Sequence, residues 1–420
     1  MARIVNPDFG IRQHIYQGAG CISVLPDIIR RENWRRIFYV CGPTLSKSGA
    51  TKAIEDSIRQ SGADYEVFGK VRPNPEAATI DNDAIPTALA FKADAIIAVG
   101  GGSTLDTAKG VAIVGNSGKR VLDFIIGKVR TDDKFDHDTL PMLAIPTTAG
   151  TGSEVCQKAV ISDEAGVKLV LDNESILPKY ALLDPDLLRT LPFHIAAATA
   201  MDAFVQALET LTTRNANDFT RTQSLRSLEL VGEHIRPFVA NPADKDAANG
   251  MSLACMYAGF SLGLASIGQD HIITHPMSEE PFHMAHGDAC AMVLPALIEY
   301  NGLSCKELYR KAYNALTGKL VPQCEFEVQQ LINWVLDLNA DLHIAGDKSF
   351  AEWGLNDETL EAMLKHPIIA GAVERSPSND DTEYPRVTGI DDFRAIIMRT
   401  AAYSDLQAKR AAMSKDHKRF

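Results

Sequence analysis

Along the first 185 or so residues, short apolar runs alternate with stretches of helical periodicity. Arg36–Cys41 (RIFYVC), Ala95–Gly100 (AIIAVG) and Pro141–Pro146 (PMLAIP) are short, apolar and bounded by Gly or Pro, as buried strands are. Ser46–Ser61 and Thr79–Lys92 carry helical patterns between them. Strand and helix in alternation predict βαβ units and a parallel sheet. Ala159–Ser162 and Val167–Leu171 bracket DEAG and predict a hairpin appended to that sheet. After Leu191-Pro192 the texture changes. Ile195–Thr213, Asp218–Phe238, Ala247–Ala265 and Lys306–Leu316 place apolar residues at helical spacing, with few strand candidates. The expectation is an α/β domain over residues 1–187 and an all-α domain over residues 188–420, two domains being the default at this length. Asn339–Asp381 is polar and irregular, and no element is assigned there.

Two of the expected strands run into loops with little side chain. In VGGGSTLDTAKG, Gly100, Gly101 and Gly102 would let a phosphate approach the backbone, and N–H groups at the helix start attract anions. Ser103 with Asp106 three residues on would also make a capping box, a structural reason for the same residues. The pattern is neither GxGxxG nor a P-loop. The second loop, Thr147-Thr148-Ala149-Gly150-Thr151-Gly152-Ser153, offers hydroxyls and bare backbone that suit a pyrophosphate and a ribose. Both loops leave the carboxyl edge of a parallel sheet, where open α/β folds bind ligands. The first domain is therefore expected to be a Rossmann-like dinucleotide-binding domain.

Composition narrows the partners. A net charge of −12 argues against nucleic acid or anionic membrane, and no uninterrupted apolar run approaches the roughly 18 residues of a membrane span. Seven scattered cysteines, odd in number and without a CxxC pair, fit a reducing compartment. MARIVNPDFGIRQ at the start lacks a signal-peptide pattern, so a cytoplasmic location is expected. The basic stretch Gln407–Phe420 reads as a solvated terminus.

Four of the eleven histidines, His271, His275, His283 and His286, fall within sixteen residues. They make a metal site or a histidine-rich loop. Asp202 and Gln206, at i and i+4 on an expected helix, share a face, and His271 and His275 have the same spacing. A carboxylate with two imidazoles forms a three-ligand divalent site with room for a substrate oxygen. A lone histidine would more often be a hydrogen-bonded core residue; the set favours the metal.

In order along the chain come Ile15-Tyr16-Gln17-Gly18, Pro73-Asn74-Pro75, GGGSTLDTAK, PTTAGTGSEV and Asp184-Pro185 with Leu191-Pro192. The Met201-Asp202-Ala203 helix with Glu209, His275-Pro276, His286-Gly287 and, weakly, Pro385-Arg386 follow. Together they resemble the iron-containing (group III) alcohol dehydrogenase family, which has the dehydroquinate-synthase-like fold. The resemblance implies NAD(P)-dependent interconversion of a small alcohol and its aldehyde or ketone, with a divalent metal in the all-α domain. It implies a homo-oligomer, a dimer or larger. By position it makes Asp202, His271 and His286 metal ligands and His275 a proton relay. Ser103, Asp106, Thr147, Thr148 and Thr151 fall at cofactor positions, with Asn74 and Lys168 near them.

The chain departs from the family pattern in three places. Gln206 stands where a histidine ligand is usual; its amide oxygen is a weaker, neutral ligand, so either Fe2+ or Zn2+ is expected. One extra residue near Glu279-Glu280 makes His283 a rival of His286, and Gly287 favours His286. Cys41-Gly42-Pro43-Thr44 lacks the acid that often holds the ribose hydroxyls at the end of the second strand. Gly42 is thus expected at a cofactor that is NAD or NADP. Polyol, hydroxyacid and glycerol-phosphate dehydrogenases, or a dehydroquinate-synthase-like lyase, are rivals on the same fold. A metal-free, non-catalytic homologue is the rival that Gln206 motivates.

Overall fold

The computed structural model describes residues 13–48, 51–126, 128, 135, 137–344, 348–375 and 384–417, with side chains followed to Lys409. The N-terminal dozen residues, part of the 339–381 segment and the end of the basic tail lie outside these. The chain divides into two compact units, one spanning Asp8–Arg189 and the other built from Thr190–Phe420.

The described residues of the first unit carry eight strands: β1 (His14–Gln17), β2 (Arg36–Cys41), β3 (Asp64–Phe68), β4 (Ala95–Gly100), β5 (Met142–Pro146), β6 (Lys158–Ser162), β7 (Lys168–Asp172) and β8 (Tyr180–Leu183). Six form one sheet in the order β1-β8-β5-β4-β2-β3, every pairing parallel. Its helices are α1 (Leu25–Glu32), α2 (Pro43–Ser48), α3 (Lys52–Ser61), α4 (Ala77–Thr79), α5 (Ile85–Phe91) and α6 (Gly102–Val114). A π-helical turn, Ile80–Ala84, joins α4 to α5, so the expected helix there is continuous. The helical pattern over Ser46–Ser61 resolves instead into α2 and α3.

The central strands read as unbroken apolar runs because both faces of the sheet are covered. With a side-chain period of two, Phe38, Val40, Ile96 and Ala98 join one core, while Ile37, Tyr39, Ile97 and Val99 join the other. β6 and β7 do pair as an antiparallel hairpin, but they form a sheet of their own rather than an extension of the large one. The hairpin is tied by side chains to α6, as described below.

Register sets the functional edge. Cys41 pairs with Val99 and Gly100 with Pro146. The loops that begin at Gly42, Gly101 and Thr147 therefore leave adjacent strands side by side, and Thr147 N–H donates to the Gly100 carbonyl at 3.0 Å.

The second unit consists of α7 (Phe193–Thr212), α8 (Asp218–Ala240), α9 (Lys245–Ala265), α10 (Gln269–Met277), α11 (His286–Thr317), α12 (Val328–Asp341), α13 (Asp357–Leu364), α14 (Pro367–Arg375) and α15 (Ile390–His417). Among its described residues there is no strand. α11 extends far beyond the expected Lys306–Leu316. It runs through Pro295, whose cost of roughly 3 kcal/mol in a helix interior is offset by neighbours from Ala289 to Ile298 that are almost all fully buried. α13 and α14 occupy part of the segment left unassigned from sequence. Among the described residues no single helix is long and apolar enough to cross a membrane.

α7 and α11 touch backbone to backbone. A Cβ at Gly287 would lie 1.8 Å from the Ala198 carbonyl oxygen, far inside any non-bonded contact. We expect Gly287→Ala to destabilise the fold by roughly 1–3 kcal/mol or more, the usual range for overpacking. Chemical denaturation would read this, and an unchanged midpoint would refute the contact.

Candidate metal centre and cofactor loops

α7 presents Asp202, Gln206 and Glu209 at i, i+4 and i+7, hence along one face. All three are buried. Asp202 Oδ1 is the focus: Gln206 donates an Nε2 hydrogen to it at 2.8 Å, His271 Nε2 stands 3.4 Å away and His286 Nε2 3.8 Å away. On its far side His271 Nδ1 donates to Glu209 Oε2 at 2.6 Å, and the Asp270 backbone N–H donates to Glu209 Oε1 at 2.7 Å. A carboxylate behind a histidine fixes which nitrogen keeps its proton and turns the other toward the site.

The donor set has the chemistry of a cation site. A carboxylate oxygen and two imidazole nitrogens converge, and their lone pairs face one another unless a proton or a cation sits between them. Burial disfavours the charged form of His271, yet Glu209 and the hydrogen bond His271 donates to Asp202 raise its pKa to about 10. Burial also opposes ionisation of Asp202, but the His271 hydrogen bond and the charges of His286 and His271 hold it below the usual carboxylate range. Asp270, behind the site, is pushed well up by burial and by Glu209. The side chain of His286 is 32% exposed against 6% for Asp202, so the cluster opens on its His286 side.

The other candidates separate clearly. His275 is buried on α10, its ring centroid 6.2 Å from that of His286. His283 sits in the left-handed region (φ 47°), two-thirds exposed and 3.8 Å from Glu280, and is not among the converging groups. Gln206 reaches the cluster through its N–H, and its Oε1 is buried with no hydrogen-bond partner. One group escaped the sequence reading. Cys290, fully buried one turn after His286 on α11, brings its Sγ to 3.8 Å from His286 Nε2. Ligand atoms of Asp202, His271, His286 and Cys290 all lie within 4.8 Å of one another. The i, i+4 spacing of HGDAC was the available signal.

In the first unit, the Gly100–Ser103 and Thr147–Ser153 loops pack on each other. A Cβ at Gly101 would lie 3.2 Å from Thr148 Oγ1, and one at Gly102 only 2.6 Å from Thr151 Cγ2. Gly42 is half-buried with open space around it, and Asn74 is exposed in a left-handed conformation (φ 52°) before α4. Lys168 is buried at the start of β7.

The capping box does not form. α6 starts at Gly102 behind Gly101, so Ser103 already lies within the first turn and no side chain caps it. Asp106 turns to the hairpin instead, accepting from Val160 N–H at 3.0 Å and Ser153 Oγ at 2.8 Å. Lys109, unnoticed in the sequence and fully buried, donates to Ser153 Oγ and to the Lys158 carbonyl, each at 2.7 Å.

An open parallel sheet and a carboxylate–imidazole cluster in one chain accord with the class of oxidoreductases that pair a nicotinamide cofactor with a divalent metal. Residues 12–185 match the model of the iron-containing alcohol dehydrogenases, and residues 196–382 match the C-terminal domain of the Fe-containing alcohol dehydrogenase family. The chain is 31% identical over 374 residues to long-chain-alcohol dehydrogenase 1 of Geobacillus thermodenitrificans, covering 88% of this chain and 90% of that protein. It is 30% identical to lactaldehyde reductase of Escherichia coli, over 83% and 89% of the two chains. The alcohol dehydrogenase from Oenococcus oeni superimposes with a TM-score of 0.83 at 28% identity, covering 94% and 99%. The chain belongs to the iron-containing alcohol dehydrogenase family and is an oxidoreductase acting on CH–OH groups.

Glu209 is not among the converging ligand atoms, and its contact with the cluster is through the far nitrogen of His271. Glu209→Ala should therefore weaken divalent-metal binding by about 10–100-fold. A chelator-competition titration giving wild-type affinity would refute that indirect contribution.

Proposed function

We propose that this enzyme interconverts a small alcohol and its aldehyde using NAD or NADP and one divalent metal per chain held by Asp202, His271 and His286. The convergence of those three ligand atoms carries the reading. When bound, the metal supplies Lewis acidity and the nicotinamide accepts or donates hydride. The protein's own residues do the rest. Asp202 brings the negative charge, Glu209 holds His271 with Nε2 toward the site, and His275 takes the hydroxyl proton during oxidation and passes it towards solvent. Gly100, Gly101, Gly102, Ser103, Thr147, Thr148 and Thr151 form the pyrophosphate and ribose contacts. Asn74 and Lys168 lie toward the cofactor, and Asp106 supports the loop through Ser153.

The relatives act on long-chain alcohols and on lactaldehyde, by their names, which supports a CH–OH/aldehyde couple here and leaves chain length to a substrate screen. Seven cysteines, none paired, accord with a cytoplasmic enzyme. We take it to be a homo-oligomer, which light scattering on the purified protein would test.

His271→Ala should abolish both metal content and activity, while His283→Ala should keep most of each. Elemental analysis showing metal retained in His271→Ala would sink the ligand assignment.

The cofactor preference follows from Gly42. It provides no carboxylate to bond the ribose hydroxyls or repel a 2′-phosphate, and Thr44, Ser46 and Lys47 are exposed beside it. NADPH should work within about tenfold of NADH, a gap of about 1.4 kcal/mol. Since a Cβ at Gly42 meets nothing within 4 Å, Gly42→Asp should fold and shift the preference toward NADH. Unchanged kcat/KM ratios would remove this loop as the discriminator.

A further inference from the structure

We infer that Cys290 is a metal ligand in this enzyme, completing an Asp–His–His–Cys set in which the thiolate takes the place that Gln206 leaves. The inference rests on the metal assignment above and concerns the fourth position only. Bonds of about 2.0–2.3 Å at tetrahedral angles put ligand atoms about 3.3–3.6 Å apart. Three of the six edges, 3.4 Å from Asp202 Oδ1 to His271 Nε2 and 3.8 Å from His286 Nε2 to both Asp202 Oδ1 and Cys290 Sγ, come within a few tenths of an ångström of that, and all four ligand atoms lie within 4.8 Å of one another.

Gln206 does not compete for the position in this arrangement. Its N–H is committed to Asp202 Oδ1, the atom the ion would bind, so the amide orients the carboxylate while its oxygen faces no donor. Cys290 shares the face of α11 that presents His286, one turn further on; Thr274 Oγ1 lies 3.8 Å from its Sγ, and the thiol also hydrogen-bonds to the Asp270 carboxyl. A sulfur there could act merely as a small buried apolar group with a weak S–H donor. The convergence with three other ligand atoms is what that role does not require.

The consequence is a change of metal. On coordination the thiol gives its proton to solvent, so Asp202 and Cys290 together neutralise a dication. A set that includes a thiolate favours zinc, whereas one carboxylate with imidazoles also suits iron, and the substrate oxygen would join the four protein ligands as a fifth. The chain would thus keep the family's fold while binding zinc in preference to iron.

Cobalt substitution tests this without reference to turnover. The full-length protein, stripped and reloaded with Co2+, should bind one ion per chain and show a near-ultraviolet thiolate-to-cobalt absorption band. In Cys290→Ser the band should vanish and Co2+ affinity should fall at least tenfold. X-ray absorption of the zinc-loaded wild type should find one sulfur in the first coordination sphere, a readout that needs no variant to fold. One ion bound with no sulfur signal, or a band and affinity unchanged in Cys290→Ser, would overturn the inference and leave the metalloenzyme reading intact. Failure of the wild type to bind any metal would overturn both.

Discussion

A buried carboxylate must be answered, and Asp202 is nearly inaccessible to water. An isolated charge there would cost several kcal/mol even after relaxation. Around it the fold assembles groups from three helices, and both histidines are held in place by further contacts. His271 is braced by Glu209, whose other oxygen takes the Asp270 N–H at the start of α10. Glu209 in turn requires Gly268, since a Cβ there would come within 2.6 Å of Glu209 Oε1. His286 arrives because α7 and α11 meet at Ala198 and Gly287 without an intervening side chain. The glycine that follows His286 is thus a packing residue first, and the histidine's position is its result.

The sequence made the parallel α/β unit legible because its central strands are buried on both faces. A run such as RIFYVC has no polar phase to disguise it. β3 escaped for the opposite reason: DYEVF lies at the edge of the sheet, mostly exposed, and carries two acids. β1, the other edge, is HIYQ and equally mixed. α11 was recognised only in its second half, where polar residues restore a helical period. Its first half, ACAMVLPALI, is apolar on every side and contains a proline, so period gave no signal and local propensity pointed the wrong way. Tertiary packing decides such a segment, and packing is not written in any window of the chain.

The site was legible to the same extent and for a similar reason. Spacing along α7 and α10 can place Asp202, Gln206 and the histidines on helix faces, but it cannot say which atom of a side chain turns inward. Gln206 shows the gap: helix spacing brings it to the cluster, where an Nε2 hydrogen meets Asp202 Oδ1 and Oε1 has no hydrogen-bond partner. The choice between His283 and His286 needed backbone conformation: α11 begins at His286, while His283 sits in a left-handed turn that sends it outward. Cys290 needed the three-dimensional convergence itself, because one cysteine inside an apolar helix is ordinarily core.

The cofactor loops show how one motif can carry a packing reason beside the ligand-binding one proposed for it. The three glycines from Gly100 to Gly102 look like accommodation for a phosphate, yet each is already required by its neighbours. A Cβ at Gly100 would strike Thr104 at 2.3 Å, and Gly101 and Gly102 are covered by Thr148 and Thr151. Asp106 and Lys109 then lock the threonine loop from beneath through Ser153. A lysine buried completely, its pKa lowered by burial despite Cys156, Asp106 and Glu154 nearby, is tolerable only because both of its hydrogen bonds are made. Packing therefore holds bare backbone and hydroxyls together at the carboxyl edge, with their geometry set in advance of any ligand. A dinucleotide meeting that edge need not order the loops on arrival, which spares the entropy that a flexible glycine loop would lose on binding.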